Sequence, residues 1–98
     1  MREDLLKIID HYGLSKQLKY IHSEYFELDE VIFDYMTRDE NMYQDREHIA
    51  EEIADIMVML KQFQYYYTIS DEEIEKIMQY KIKRQLERIE KEKENGNF

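Results

Sequence analysis

Glu24 and Glu27, then Glu52 and Asp55, form two acid pairs, each with its second member three residues after the first. On an ideal helix, Ile21, Leu28, Val31 and Tyr35 all fall within about 60° of Glu24. Glu24 therefore stands in an apolar stripe where the pattern asks for leucine, and Glu27 stands at the stripe's edge. Around Glu52 the same arc holds Ile49, Ile56, Met59 and Phe63, with Asp55 to one side near Val58 and Gln62. A carboxylate leaves water at a high cost unless it is paired or bound to metal. Four acids converging from two facing helices repel one another unless a cation sits among them. Carboxylate oxygens suit hard ions, Mg²⁺ or Mn²⁺. A buried salt bridge to lysine or arginine is the other use of such an acid. The pairs Glu72 with Glu75 and Glu87 with Glu90 share the spacing but read as solvated surface.

A second set of candidates is basic. Lys81, Arg84 and Arg88 recur at i, i+3 and i+7, one column along a helix that flanks the apolar positions Ile74, Ile77 and Met78. In an acidic chain such a column is a candidate phosphate clamp. Cations late in a helix also suit its dipole and pair with acids such as Glu87. Lys83, on the other side, reads as solvated. His48 lies one turn before Glu52 and reads as a supporting neighbour of the acids, whereas His22 points away from Glu24. Tyr12, Tyr20, Tyr35 and Tyr66 each offer a ring that can stack on a base. Core or subunit interface is the ordinary place for aromatics at helical spacing.

These side chains need helices to carry them, and the composition supplies helices. The 98 residues include no proline, no cysteine and only two glycines, Gly13 and Gly96. Sandwiches and barrels need far more turn punctuation. The absence of cysteine excludes thiolate metal sites, disulfides and a cysteine nucleophile. Four helical segments follow from the spacing: about Arg2 to His11, Ser15 to Met36, Tyr43 to Tyr67, and a fourth opening at Ser70. Tyr12-Gly13 breaks the first from the second. Residues 37–41 read as a polar loop. Ser70 and Glu73 have the spacing of a capping box. The stretch Tyr65–Ile69 has strand propensity but no partner run, and reads as a helix end and turn. Residues 90–98 read as a frayed, solvated tail.

The apolar face of the second segment is expected at Leu18, Ile21, Tyr25, Leu28, Ile32 and Tyr35. That of the third is expected at Ile49, Ile53, Ile56, Leu60, Phe63 and Tyr67, and that of the fourth at Ile74, Ile77, Met78, Ile82 and Ile89. Phe26, Phe33, Met57 and Tyr65 fall on further faces and are expected to be covered by another subunit. The net charge of −9 disfavours a nucleic-acid duplex as partner. No apolar run reaches the ~20 residues of a membrane span, and Met1–Lys7 has no secretory apolar region. The expectation is a single cytoplasmic all-α domain assembled as a homodimer or tetramer.

The order Glu24-Tyr25-Phe26-Glu27, then Glu52-Ile53-Ala54-Asp55, resembles the ExxE…ExxD signature of the MazG-like all-α nucleoside triphosphate pyrophosphohydrolases. Gln17-Leu18-Lys19 and the run Glu51–Leu60 look like the same superfamily, and the likeness extends from about Leu14 to Ile89. Ser23 departs from it, since many relatives have a further glutamate there. The resemblance implies a four-helix MazG-like bundle assembled with other subunits. It implies that Glu24, Glu27, Glu52 and Asp55 hold Mg²⁺, or that one of the glutamates orients or deprotonates the attacking water instead, and it favours Lys81 and Arg84 as phosphate contacts. The implied reaction converts a deoxy or non-standard nucleoside triphosphate to the monophosphate and pyrophosphate, as nucleotide-pool control or house-cleaning.

Two other readings compete. A ferritin-type di-iron bundle would want Glu-x-x-His on two helices; the chain has none, and the nearest run is Asp45-x-x-His48. A non-catalytic helical module that binds nucleotide or protein is the other, and the four intact acids speak against it.

Overall fold

The computed structural model describes residues 1–37 and 42–96, without the side chains of residues 42–45. Four helices and no strand are present among them: α1 Arg2–Tyr12, α2 Leu14–Thr37, α3 Met42–Tyr66 and α4 Asp71–Glu94. The loop expected at residues 37–41 lies outside the described residues from Arg38 on. So do the side chain of Asp45 and the last two residues of the expected tail. The chain divides into two units, Met1–Thr68 and Ile69–Phe98.

Within the first unit, α1 joins α2 through a single residue. Gly13 donates its N–H to the Ile9 carbonyl at 2.8 Å, and its own carbonyl accepts from the Gln17 amide at 3.1 Å. One peptide group thus closes α1 and the next opens α2. The joint needs φ +89°, which glycine adopts without the steric penalty of a side chain. At the far end of α2 the Thr37 hydroxyl donates to the Phe33 carbonyl, satisfying one of the helix's last acceptors.

Helices α2 and α3 run antiparallel. Gln17 meets Gln62, while Glu24, two turns later, meets Asp55 and Glu52. Helix α1 packs against both. Leu5, Ile9, Met59 and Tyr65 are the buried apolar side chains among the described residues, and Gln17, Glu24, Glu52 and Gln62 are their buried polar counterparts. Tyr65 lies beneath two cations, with the Arg2 guanidinium 5.6 Å and the Lys61 ammonium 5.5 Å from its ring centre. Tyr65 is therefore covered within its own chain rather than by a second subunit, whereas Phe26, Phe33 and Met57 are exposed as expected of outer faces.

The inner faces differ from the expected stripes. Leu18, Tyr25, Ile32, Ile53, Leu60 and Tyr67 are all exposed. The line on α2 that turns inward is Gln17, Ile21, Glu24, Leu28, Val31 and Tyr35. Apolar residues occur on several sides of both helices, so spacing alone leaves the choice of side open. Packing selected the side that contains the acids.

Thr68 follows α3 with φ +58°, in the left-handed region that a β-branched residue adopts at a cost. Its amide donates to the Tyr65 carbonyl at 3.0 Å. The stretch read as a helix end and turn is thus one.

In the second unit, the Ser70 hydroxyl caps α4 by accepting from the Glu73 amide at 3.1 Å, and three acids occupy the first turn where the dipole favours them. The reciprocal bond of a full capping box is not formed. Helix α4 continues to Glu94, past the expected end near Glu90, and none of its residues is buried. Ile77, Met78, Ile82 and Ile89 of its expected apolar face are exposed. Among the described residues, no helix is long and apolar enough to cross a membrane.

Candidate metal centre and adjoining cleft

Glu24 comes from the middle of α2, and Glu52 and Asp55 from the facing stretch of α3. One oxygen from each lies within 4.8 Å of the other two. These three would be the residues to hold a hard cation such as Mg²⁺, whose preferred ligands are carboxylate oxygens. Glu24 is 5% exposed and Glu52 8%, while Asp55 faces the opening. Oε2 of Glu24 and Oε2 of Glu52 are both buried without a hydrogen-bond partner. No lysine or arginine pairs with either group among the described residues, so the salt-bridge use of these acids is not what the fold provides.

The electrostatics match this placement. Glu24 is held above the usual carboxylate range, first by burial and then by the charges of Glu27 and Asp55. A hydrogen bond from Tyr20 opposes the shift. Glu52 is raised by burial and then by Glu27, Asp55 and Glu24. Tyr20 is itself raised, because its phenol donates to Glu24 and faces that charge.

Glu27 is exposed and stands outside the trio, yet its charge is among those that raise Glu52. His48 presents Nε2 3.6 Å from Oε1 of Glu52, one turn away, which fits the supporting place expected for it. His22 is exposed, and so are the surface pairs Glu72 with Glu75 and Glu87 with Glu90.

Beside the trio lies a cleft of about 380 Å³ where α1, α2 and α3 converge. Glu24 and Asp55 line one part of it. Ile8, Tyr12 and Val58 give it apolar walls. Deeper in, Gln17 donates Nε2 to Oε1 of Gln62 at 2.8 Å. Gln62 is 1% exposed and Gln17 6%. Gln17 and Gln62 each entered the sequence reading as neighbours of other residues, but not as a pair. The signal that could have found them is the one that marked Glu24, a polar residue in an apolar stripe. Tyr20 was a candidate for stacking; its bond to Glu24 follows from its place one turn before that acid.

On α4, Lys81, Arg84 and Arg88 share one face and, with Gln85, line a small concavity of about 150 Å³. The Arg84 guanidinium lies 5.8 Å from the centre of the Tyr80 ring. Lys83 and Glu87 line a separate concavity of that helix.

No family model, curated protein or solved structure matches this chain.

Proposed function

We propose that the chain is a Mg²⁺-dependent nucleoside triphosphate pyrophosphohydrolase of the MazG-like kind, with Mn²⁺ as the alternative ion. It takes a deoxy or non-standard nucleotide and water to the monophosphate and pyrophosphate, as a homodimer or tetramer in the cytoplasm. The observation that carries this reading is the pair of buried, partnerless oxygens on Glu24 and Glu52. A buried carboxylate oxygen without a donor costs free energy in the protein alone, and a hard cation is the ligand that removes that cost.

Glu24, Glu52 and Asp55 would hold the ion. When bound, Mg²⁺ supplies positive charge against the phosphate oxygens. The Tyr20 phenol faces the Glu24 carboxylate and favours its charged form. Glu27, near Glu52 and open to solvent, is suited either to complete the ligand set or to orient and deprotonate a water. The Lys81–Arg84–Arg88 column offers the donors that phosphate oxygens take. The exposed apolar residues of α2 and α4 support assembly with further copies.

Hydrolysis of a panel of nucleoside triphosphates with Mg²⁺ in ¹⁸O-water tests the proposal. Label confined to the monophosphate, with pyrophosphate as co-product, is expected. Glu52→Gln or Asp55→Asn should lower turnover by orders of magnitude, and Glu72→Gln should not. Labelled orthophosphate would overturn the reaction. Nucleotide binding without turnover would favour the non-catalytic module.

A further inference from the structure

The amide pair of Gln17 and Gln62 is more than a tie between α2 and α3. A tie of this kind is stable when every donor and acceptor is used, and here the use is incomplete. After the bond between them, the remaining N–H groups reach only the Met59 sulfur, from Gln62 Nε2 at 3.6 Å and from Gln17 Nε2 at 3.9 Å. A thioether is a weak acceptor. Oε1 of Gln17 accepts no hydrogen bond among the described residues. An acceptor and underused donors thus stand side by side among the apolar side chains of Ile8, Tyr12, Val58 and Met59 that line the cleft.

The cleft joins this polar floor to the acid trio. Gln17 precedes Glu24 by seven residues on α2, and Gln62 follows Asp55 by seven on α3, so the two groups lie about 10 Å apart along the hairpin. A ligand that fills the cleft from end to end therefore has a metal-seeking anionic part and a flat part. The flat part has an apolar face for Tyr12 and Val58 and an edge carrying both a donor and an acceptor. A nucleotide has that distribution, with its base as the flat part. The Lys16 ammonium, 5.1 Å from the Tyr12 ring centre, adds a cation on the cleft's lining.

We propose that the Gln17–Gln62 amide pair reads the hydrogen-bonding edge of the substrate's base, and so sets which base the chain prefers. This rests on the nucleotide reading above and goes beyond it by assigning base selectivity to two residues. A carboxamide offers one donor and one acceptor in a fixed plane, and a site built from such groups discriminates strongly against an edge that leaves them unpaired.

Two measurements test it. In the wild-type chain, the side-chain amide resonances of Gln17 and Gln62 are followed by NMR. The four deoxynucleoside monophosphates and deoxyribose 5-phosphate are titrated in turn with Mg²⁺ present. The amides should shift with one base more than with the others, and not with the sugar phosphate. Amides that ignore every base, or that answer the sugar phosphate equally, overturn the proposal. In the second measurement, Gln62→Met and Gln17→Met keep the volume and remove the edge. The ratio of kcat/KM between the best and the poorest base should fall at least tenfold. An equal loss for all bases marks the pair as structural and overturns the proposal. Amides that respond to a base in a chain that hydrolyses nothing would sink the catalytic reading and leave base recognition standing. Hydrolysis with silent amides would do the reverse.

Discussion

Glu24 and Glu52 hold their protons more tightly in the folded chain than in the unfolded one, because burial and neighbouring acids disfavour their charge. The native state therefore binds more protons between the ordinary glutamate value of about 4.5 and the raised ones. Linkage then makes their contribution to stability full at low pH and lost as pH rises through that window. In EDTA, the melting temperature should fall across this range more steeply for the wild type than for Glu24→Gln. The variant should be more stable by on the order of 1 kcal/mol at neutral pH. Millimolar Mg²⁺ should raise the wild type alone. Parallel pH curves for the two proteins, or equal gains with Mg²⁺, would refute the account. These acids were legible in the sequence because a charge in an apolar stripe is conspicuous in one dimension. The Gln17–Gln62 bond was not, since it depends on the register between two helices, which no spacing along either one contains.

Two joints show how elements are bounded. Gly13 and Thr68 both take positive φ, at +89° and +58°, but only one has the residue suited to it. A left-handed conformation costs an L-residue about 1–2 kcal/mol, and glycine's extra chain entropy returns about 0.5–1 kcal/mol of that. Thr68→Gly should therefore stabilise the chain modestly in urea unfolding. Gly13→Ala should destabilise it by about 1–3 kcal/mol, because φ +89° with ψ 151° is a region essentially reserved to glycine. The added Cβ at Gly13 has nothing within 4 Å, so the loss there is conformational rather than steric. No change at either site would contradict the backbone argument. Gly13 was readable as a break, and so were the helix limits to within a few residues. Thr68 was not, because threonine does not announce a left-handed turn. The exposure of Leu18 and Tyr25 was equally hidden, since α2 carries apolar residues on more than one side.

At the scale of the whole chain, the buried side chains of the described residues are half polar, and Phe26, Phe33 and Met36 of α2 stand in solvent. A small domain with so little dry interior gains from covering such residues. Light scattering at micromolar concentration should give a mass above the 12.2 kDa of one chain, and Phe26→Ser with Phe33→Ser should lower it. A mass fixed at one chain across concentration would remove the proposed assembly. The all-helical class was evident from the missing prolines and glycines. Which outer residues stay outside was not, because composition does not distinguish a face kept for a partner from one turned inward.

The antiparallel pairing of α2 with α3 also bears on the order of events in folding. Every member of the acid trio belongs to this one hairpin. If the hairpin belongs to the folding nucleus, the carboxylates are driven together while much of the chain is still open, and their repulsion is felt in the transition state. Glu24→Gln should then speed refolding in stopped flow more than it slows unfolding, and an unchanged refolding rate would place the hairpin's docking after the barrier. On the first outcome, neutralising those charges acts as an accelerator of folding, and the acids govern how fast the chain becomes a protein as well as what it can hold afterwards.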